Sequence, residues 1–469
     1  MPHPPRVAVI GAGISGLACA YRLQQAAMDV TVFESSDHPG GLIETVEKEG
    51  LLLEAGPQSF QGTEALLALI NELGLEAELQ KSDPRAPRYV LLHGHLRKIP
   101  MSPQALLTSS LLGPGSRWKM ASEAFKKSKP PSEEESVGNF VRRKFGNEIL
   151  EYLVAPFVSG VYAGDPEQLS LKAAFPSLDE WEREYGSVLR GAIKSRSDKE
   201  KRSGPLPLCS FKHGLATLPR AMAKKLAAAL QPQTAVVGIE RTENSGNAAG
   251  NAPYQIRTNF QGREQTTSVH AVVLAAPAYV AGTLLAPISP QLARTLSGIA
   301  YAPVAVVAAS YYRRQVGDPL EGFGFLIPRR EKVRTLGTVW NSSLFAGRAP
   351  AGVVTITSFI GGATDRDIVN HSEEQIARIV HEDNARILGI AGPAVETAVW
   401  LHTRALPQYN LGHGHTVEAV RDAEKKTPGL FFAGNYLEGP AVGKCLEQGF
   451  HAAEAARNYL TAGSRMPAA

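Results

Sequence analysis

Three cysteines in 469 residues, Cys19, Cys209 and Cys445, are odd in number, far apart and outside any C-x-x-C pair. That excludes a disulfide scaffold and the commoner zinc and iron–sulfur frameworks, and a reducing compartment is expected. No stretch reaches the ~18 uninterrupted apolar residues of a spanning helix. The opening MPHPPRVAVIGAGISG has no basic segment leading into an apolar run of the signal-peptide kind. A soluble chain, or one lying on a membrane face, is expected. Charge of one sign is scarce too: 49 basic against 45 acidic side chains leave a net +4, which argues against a nucleic-acid partner. There is no Ser-His-Asp set and no carboxylate pair to act as acid and base. His93, His95, His413 and His415 have H-x-H spacing but sit in Gly-rich loops with no carboxylate nearby, so no metal is expected. Internal repeats and long low-complexity tracts are absent.

What the chain does have is 43% hydrophobic residues, enough for the cores of two or three domains. Arg6 to Ile10 (RVAVI) reads as a short buried parallel strand, and GAGISG follows it at once. In that pattern Gly11 permits the tight turn and Gly13 lets the backbone approach a pyrophosphate. Gly16 lets the helix LACAYRLQQA pack close to the sheet, with its N-terminal dipole toward the phosphates. A second strand, VTVFE, ends on Glu34, placed to accept hydrogen bonds from ribose hydroxyls. Strand, glycines, helix, second strand and terminal acid in that order predict a dinucleotide site. A second Gly pair, Gly40 and Gly41, and the segment LLLEAGPQSF follow where an NAD domain would continue into further β-α repeats. A longer cofactor lying extended across the domain fits better, and FAD is favoured. The candidate cofactor residues here are Gly11, Ala12, Gly13, Ile14, Ser15, Gly16, Glu34, Ser35, Gly41, Leu42, Gly56, Pro57, Gln58 and Ser59.

Near the other end, FFAGNYLEGPAVGKCLEQG places four glycines and Pro440 where an ordinary terminal helix would have none. With the N-terminal run, it resembles the flavin amine oxidase superfamily, which implies that GLFFAG ends beside the cofactor and that the turn after it starts a helix near the flavin ring. By that resemblance Gly434 and Asn435 lie by the phosphate and ribityl chain, and Ala441, Val442 and Gly443 near the isoalloxazine. Val236 and Val237 approach the adenine, and Trp400 belongs to the cofactor site as well. Further segments are similar to oxygen-dependent protoporphyrinogen oxidases along nearly the whole chain: LLEAGPQSFQ, FVRRKFGNEILEYLVAPFVSGVYAGDPEQLSL, AFPSLDEWEREYGSVLRGAI, PLEGFGFLIPRRE and TLGTVWNSSLFAGRAP. APFVSGVYAGDP is the most specific of these motifs.

The resemblance implies non-covalent FAD, since ALPQYNLGHGH and PAVGKC offer neither an aromatic pair for an amine nor a cysteine at the tether position. It implies oxidation of protoporphyrinogen IX to protoporphyrin IX in three rounds, each reducing flavin and then O2 to peroxide. A wide apolar pocket with few basic anchors follows from the substrate's two propionates. Leu326, Val339 and Phe359 match its wall, and Arg88 matches a propionate partner. Some relatives carry a basic residue where this chain has Gln58, so Arg88 bears more of that role. A coproporphyrinogen III oxidase, holding four carboxylates, is the enzymatic alternative, and a flavin-free lipid-binding protein of the GDP-dissociation-inhibitor type is the other.

The fold expected is α/β: an FAD-binding Rossmann-like domain, an antiparallel-sheet substrate domain and a helical, membrane-associating domain. The FAD domain takes residues 1–85, 204–298 and 406–469, the helical region 86–203 and the sheet 299–405. The helical region ends in the charged KSRSDKEKR, and ALLTSSLLGPGSRWKM reads equally as an interfacial membrane element or as a helix packed in its own domain. A porphyrinogen and O2 are the expected partners, with a peripheral membrane contact and a homodimer. The expected location is the cytoplasm, on the membrane's cytoplasmic face.

Overall fold

The computed structural model describes residues 5–463 except 101, 127, 201–205 and 243–251. The ENSGNAAGNAP linker, read as a surface hairpin tip, falls largely outside the described residues, as does the end of KSRSDKEKR.

Two sheets organise the molecule. The first has five parallel strands in the order Leu230–Gln231, Asp29–Phe33, Arg6–Ile10, Ala271–Leu274 and Leu430–Phe432. Val7, Ala8, Val9 and Ile10 are all buried, because a parallel sheet is covered on both faces and needs apolar side chains on each. Val7 and Val9 join Leu17, Leu446 and Ala453 from the helices Ile14–Gln25 and Val442–Gly463. Ala8 and Ile10 meet Ala281, Leu284 and Leu292 from Ala278–Leu285 and Pro290–Ser297. The helices at the two ends of the chain cross at Gly449, where a β-carbon would lie 2.2 Å from the Ser15 carbonyl oxygen. Any side chain there would push them apart.

The second sheet has seven strands in the order Glu396–Pro407, Tyr301–Tyr312, Val353–Gly361, Thr335–Val339, Gly324–Leu326, Arg88–Leu92 and His95–Lys98. The alternation in PVAVVAASYY, FGFLIP, TLGTVWN and GVVTITSFIGG predicts its strands. Two expectations need correction. The sheet is not wholly antiparallel, since Gly324–Leu326 pairs in parallel with Arg88–Leu92. The segment 86–203 is not wholly helical, since its first two strands close this sheet's edge. One face carries Leu91, Phe325, Ala309 and Ile356, packed with Leu388, and beside them Val307 and Ile360, packed with Ile376 and Val380, all three helix residues coming from Glu373–Leu388.

The helical region lies over the other face. Its longest run passes from Asn147–Ile149 through a π turn, Leu150–Val154, into Ala155–Tyr162. Pro156 has no N–H to give the preceding turn, and a widened turn ahead of it accommodates that loss. The region is built around a buried ion cluster. Lys144 Nζ lies 2.8 Å from Glu182 and 3.3 Å from Glu123, with both carboxylates sealed from solvent. Arg143 also reaches Glu182, at 2.8 Å. Glu123 in turn accepts from the backbone N–H groups of Val188 and Leu189, capping the last helix of the region.

Candidate active site: a glycine cradle facing an apolar sheet

The first half of the site is a turn. Gly11 adopts φ +102°, and a β-carbon on Gly16 would sit 1.9 Å from the Gly11 carbonyl oxygen. Only glycine permits either feature. Gly13 differs, since a β-carbon there would meet nothing within 4 Å. Gly41 stands across from it, its own β-carbon position 3.3 Å from the Gly13 Cα. The helix Ile14–Gln25 opens on Gly13 with no side chain capping its first N–H groups. A narrow trough with free amide donors at a helix N-terminus is a place for a pyrophosphate.

Glu34 ends the neighbouring strand, and its Oε2 accepts from Ala12 N at 2.7 Å while Oε1 accepts from Ser36 N at 2.9 Å. These bonds fix the carboxylate at the rim of the trough beside Ser35. The strand Thr234–Arg241 starts there, with Thr234 N donating to the Glu34 carbonyl at 2.7 Å. It bulges between Val236 and Gly238, which leaves Val237 exposed. Leu42 and the Gly56 loop are in close contact: a β-carbon on Gly56 would lie 2.0 Å from the Leu42 carbonyl oxygen.

That loop, Gly56 to Ser59, is anchored from below. Glu54 is buried and accepts from Thr45 Oγ1 at 2.6 Å and from Leu215 N at 2.9 Å, with buried Arg348 3.4 Å away. Burial raises the Glu54 carboxyl above its ordinary value and lowers the Arg348 guanidinium below its own. Gln58 is buried as well. Its amide donates to the Gly56 carbonyl at 2.8 Å and its oxygen accepts from Asn341 at 2.6 Å. The side chain is thereby committed to joining the loop to the end of the strand Thr335–Val339. His402 makes a similar link from the sheet, its Nε2 2.9 Å from the Ala55 carbonyl oxygen.

The sheet supplies the second half. Paired residues on neighbouring strands share a face, so the register decides which side chains meet. Arg88 pairs with Gly324, Val90 with Leu326, Leu326 with Gly337, Gly337 with Phe359, Val339 with Thr357, Phe359 with Val306, and Val306 with Trp400. Arg88, Leu326, Val339, Phe359 and Trp400 therefore all lie on the face turned away from the helix Glu373–Leu388. Trp400 and Phe359 both pack against the cluster of Ala163, Val304 and Val306, and Trp400 also packs against that of Leu51 and Leu53, which places this face against the hairpin of Thr45–Lys48 and Leu51–Glu54. Gly337, between Leu326 and Phe359, lets the Leu326 side chain lie against the strand, since a β-carbon there would be 3.0 Å from Leu326 Cδ2. The helix Ala155–Tyr162 covers its far end, where Gly160 comes so close that a β-carbon would lie 2.4 Å from Leu326 Cδ2.

Arg88 is half-buried, with its guanidinium 5.3 Å from the Phe323 ring centroid. It lines a cavity of about 210 Å³ shared with Asp83, Leu206, Leu208 and Phe323. Burial lowers its pKa, yet a guanidinium keeps its charge at neutral pH.

The C-terminal segment closes the cradle. Gly434 has φ +151° and Gly439 φ +135°, flanking the short helix Asn435–Glu438. Ala441 follows, and Val442 and Gly443 begin the long C-terminal helix beside Thr63, whose side chain is 3.4 Å from a β-carbon built on Gly443. Cys445 is buried, which pushes its thiol up to about 12. A neutral, enclosed thiol of that kind is no nucleophile. Among the described residues no group of three metal-ligating side chains occurs. Asn341, His402 and Arg348 are the site residues that sequence reasoning misses. Continuing the period-two alternation from Trp400 puts His402 on the site face, whereas nothing local marks the other two.

A flavoprotein oxidoreductase is what this cradle and facing sheet define. The model for flavin containing amine oxidoreductases matches residues 14–457, and the chain belongs to that family. It is 38% identical to the chloroplastic protoporphyrinogen oxidase of Oryza sativa subsp. japonica, over 97% of this chain and 88% of that one. With protoporphyrinogen oxidase 1 of Arabidopsis thaliana it shares 34% over 97% and 88%. The coproporphyrinogen III oxidase of Bacillus subtilis is 28% identical over 97% and 98%. A crystal structure from Exiguobacterium sp. 255-15 superposes with a TM-score of 0.80 at 22% identity, covering 99% of this chain and 100% of that one. Cyclohexylamine oxidase from Brevibacterium oxydans gives 0.69 at 18%, again over 99% and 100%. The cofactor is FAD, and the Gly13 trough, the free helix N-terminus and the fixed Glu34 carboxylate fit it.

Proposed function

We propose that this chain oxidises protoporphyrinogen IX to protoporphyrin IX with O2, releasing H2O2. The observation that carries the reading is the single sheet face on which Leu326, Val339 and Phe359 form an apolar wall with Arg88 at its edge. The names of the plant relatives support the same substrate. When bound, FAD accepts hydride from the substrate and passes the electrons to O2. The residues of the chain do the rest. Gly11 to Gly16, Glu34, Ser35, Gly41 and Leu42 would hold the pyrophosphate and ribose, Val236 and Val237 the adenine, and Gly56 to Ser59 with Gly434 to Gly443 the ribityl chain and ring. Leu326, Val339 and Phe359 sandwich pyrrole rings and exclude water, and Arg88 pairs with a propionate, fixing which bridging carbon faces the ring.

Aerobic incubation of the purified protein with protoporphyrinogen IX is expected to give rising porphyrin emission alongside a flavin absorption band. A flavin band without emission overturns the substrate assignment. Four carboxylates call for more cations than this wall carries, since Arg88 is its basic residue and Arg97, exposed on the edge strand, is the next along the same face. Coproporphyrinogen III is therefore expected to turn over with a higher KM, measured by product identification with both porphyrinogens. Arg88→Ala is expected to raise the KM for protoporphyrinogen roughly 10-fold or more, the ~1.5–3 kcal/mol of a charged hydrogen bond, while the flavin spectrum stays as in the wild type. Loss of bound FAD in that variant would make Arg88 structural instead.

Contact of the helical region with the cytoplasmic face of a membrane belongs to the same proposal. Trp118 and Phe125 are 70% and 87% exposed there, and Lys126 stands over the Trp118 indole, an arrangement suited to an anionic interface. Among the described residues no helix is long and apolar enough to cross. Vesicle flotation tests the contact, and light scattering tests the homodimer.

A further inference from the structure

Tyr409 is where the three parts of the molecule meet. It lies two residues past the end of the strand Glu396–Pro407 of the seven-stranded sheet. Its carbonyl oxygen accepts from Ser170 N of the helical region at 2.8 Å, and its hydroxyl donates to the carbonyl oxygen of Asn435 in the C-terminal loop. The ring is 1% exposed and packs edge-on against Tyr162, 5.9 Å away at the end of the helix over the sheet face, and against His413, 4.8 Å away. The other end of the same loop is tied by Cys445, whose Sγ lies 3.7 Å from the Gly439 carbonyl oxygen. The loop is thus held through its carbonyl groups at both ends, at Asn435 and at Gly439. Among the described residues, the Tyr409 tether is the one that comes from the side of the molecule forming the substrate wall.

We infer that Tyr409 is a positioning residue: its hydroxyl sets the Gly434–Gly443 loop relative to the sheet face bearing Val306, Phe359 and Trp400. The inference rests on the reading that this loop lies against the flavin ring. A bound porphyrinogen touches the sheet face and FAD touches the loop, so the distance between donor carbon and acceptor nitrogen depends on how rigidly the two are joined. A misplacement of about 1 Å is enough to cost roughly 100-fold in rate. A packing residue would need only the ring, whereas this role needs the oxygen. The Asn435 carbonyl is partly buried, so removing its donor costs it a directed partner that a less ordered solvent contact replaces poorly.

Tyr409→Phe keeps both ring contacts and removes one oxygen. Three measurements test it: kcat and KM for protoporphyrinogen, the visible spectrum of bound FAD, and amide hydrogen exchange across residues 434–443 in the FAD-free protein. The expected result is a roughly 10- to 100-fold fall in kcat, an unchanged KM, shifted flavin bands, and faster exchange confined to the loop. Unchanged exchange with a wild-type spectrum and kcat would overturn the inference. So would a uniform loss of thermal stability with wild-type kcat per bound flavin, the mark of a packing role. Tyr162→Leu removes a ring contact and spares the hydroxyl tether, so it is expected to lower stability without speeding exchange in the loop. If it reproduces the exchange pattern of Tyr409→Phe, the tether is not the cause. A wild-type protein that fails to retain FAD would sink the reading of the loop itself, whereas the exchange comparison, which needs no flavin, still reports on the tether.

Discussion

Gly13→Ala is expected to fold as the wild type does and yet to lose FAD. The backbone at Gly13, φ −66° and ψ 174°, is one that alanine adopts freely, and the new methyl meets no protein atom within 4 Å. It enters instead the space where a pyrophosphate would come against the chain. FAD affinity should fall about 10- to 100-fold, equivalent to ~1.4–2.8 kcal/mol, as read by flavin fluorescence titration, with the apoprotein's Tm unmoved. Gly16→Ala makes the contrast. Its methyl would be driven into the Gly11 carbonyl oxygen and would crowd the Ala275 side chain at 3.2 Å, so turn and helix must separate. Overpacking of this kind costs ~1–3 kcal/mol, and both Tm and FAD affinity should drop. Equal Tm losses in the two variants would show that the space beside Gly13 is not a ligand's.

The second large effect lies far from the cradle. Lys144→Met removes the cation between Glu123 and Glu182 and leaves two sealed carboxylates facing each other, with Arg143 able to answer only one of them. Breaking a buried ion pair from one side costs ~3–5 kcal/mol, and thermal unfolding followed by circular dichroism should show the loss. The cluster also carries a pH dependence. Arg143, Lys144 and Ser128 outweigh burial and hold the Glu182 carboxyl down at about 2, against 4.5 unfolded. A group whose folded pKa is depressed contributes stability above its unfolded value and loses it as protons bind the folded form. The contribution should be complete above pH 4.5 and fade toward pH 2. Glu182→Gln should flatten that slope, and an unaltered acid transition in the variant would contradict the assignment.

Much of the first half of the site was legible because its physics is local. A strand, a turn that only glycine can make, a helix N-terminus and an acid after the second strand all fall within residues 6–34, and the structure assembles them in that order. The site wall was legible by a different route. Alternation placed Leu326, Val339 and Phe359 on strands, but only pairing register could put them on one face with Arg88. Period-two patterning does not choose a partner strand. For the same reason APRYVLLHGHLRK gave no sign that it would leave the helical region and close the sheet's edge, since parallel pairing with Gly324–Leu326 spans more than 200 residues of chain. The links that hold the halves together, Gln58 with Asn341, Arg348 with Glu54 and Tyr409 with Asn435, are single long-range hydrogen bonds with no sequence period at all.

The order in which the chain is made matters for the crossing at Gly449. The strand Leu430–Phe432 is the last to join the parallel sheet, and the helix behind it seals the Ser15 side of the glycine turn. During synthesis, at ~5–20 residues per second, the GAGISG turn exists for tens of seconds before the segment that completes its cofactor site leaves the ribosome. Flavin capture is therefore a late event in the life of the polypeptide. Until then the edge at Ala271–Leu274 is unpaired and the apolar faces of two helices stand open, so it is the arrival of the last strand and helix that closes the parallel sheet.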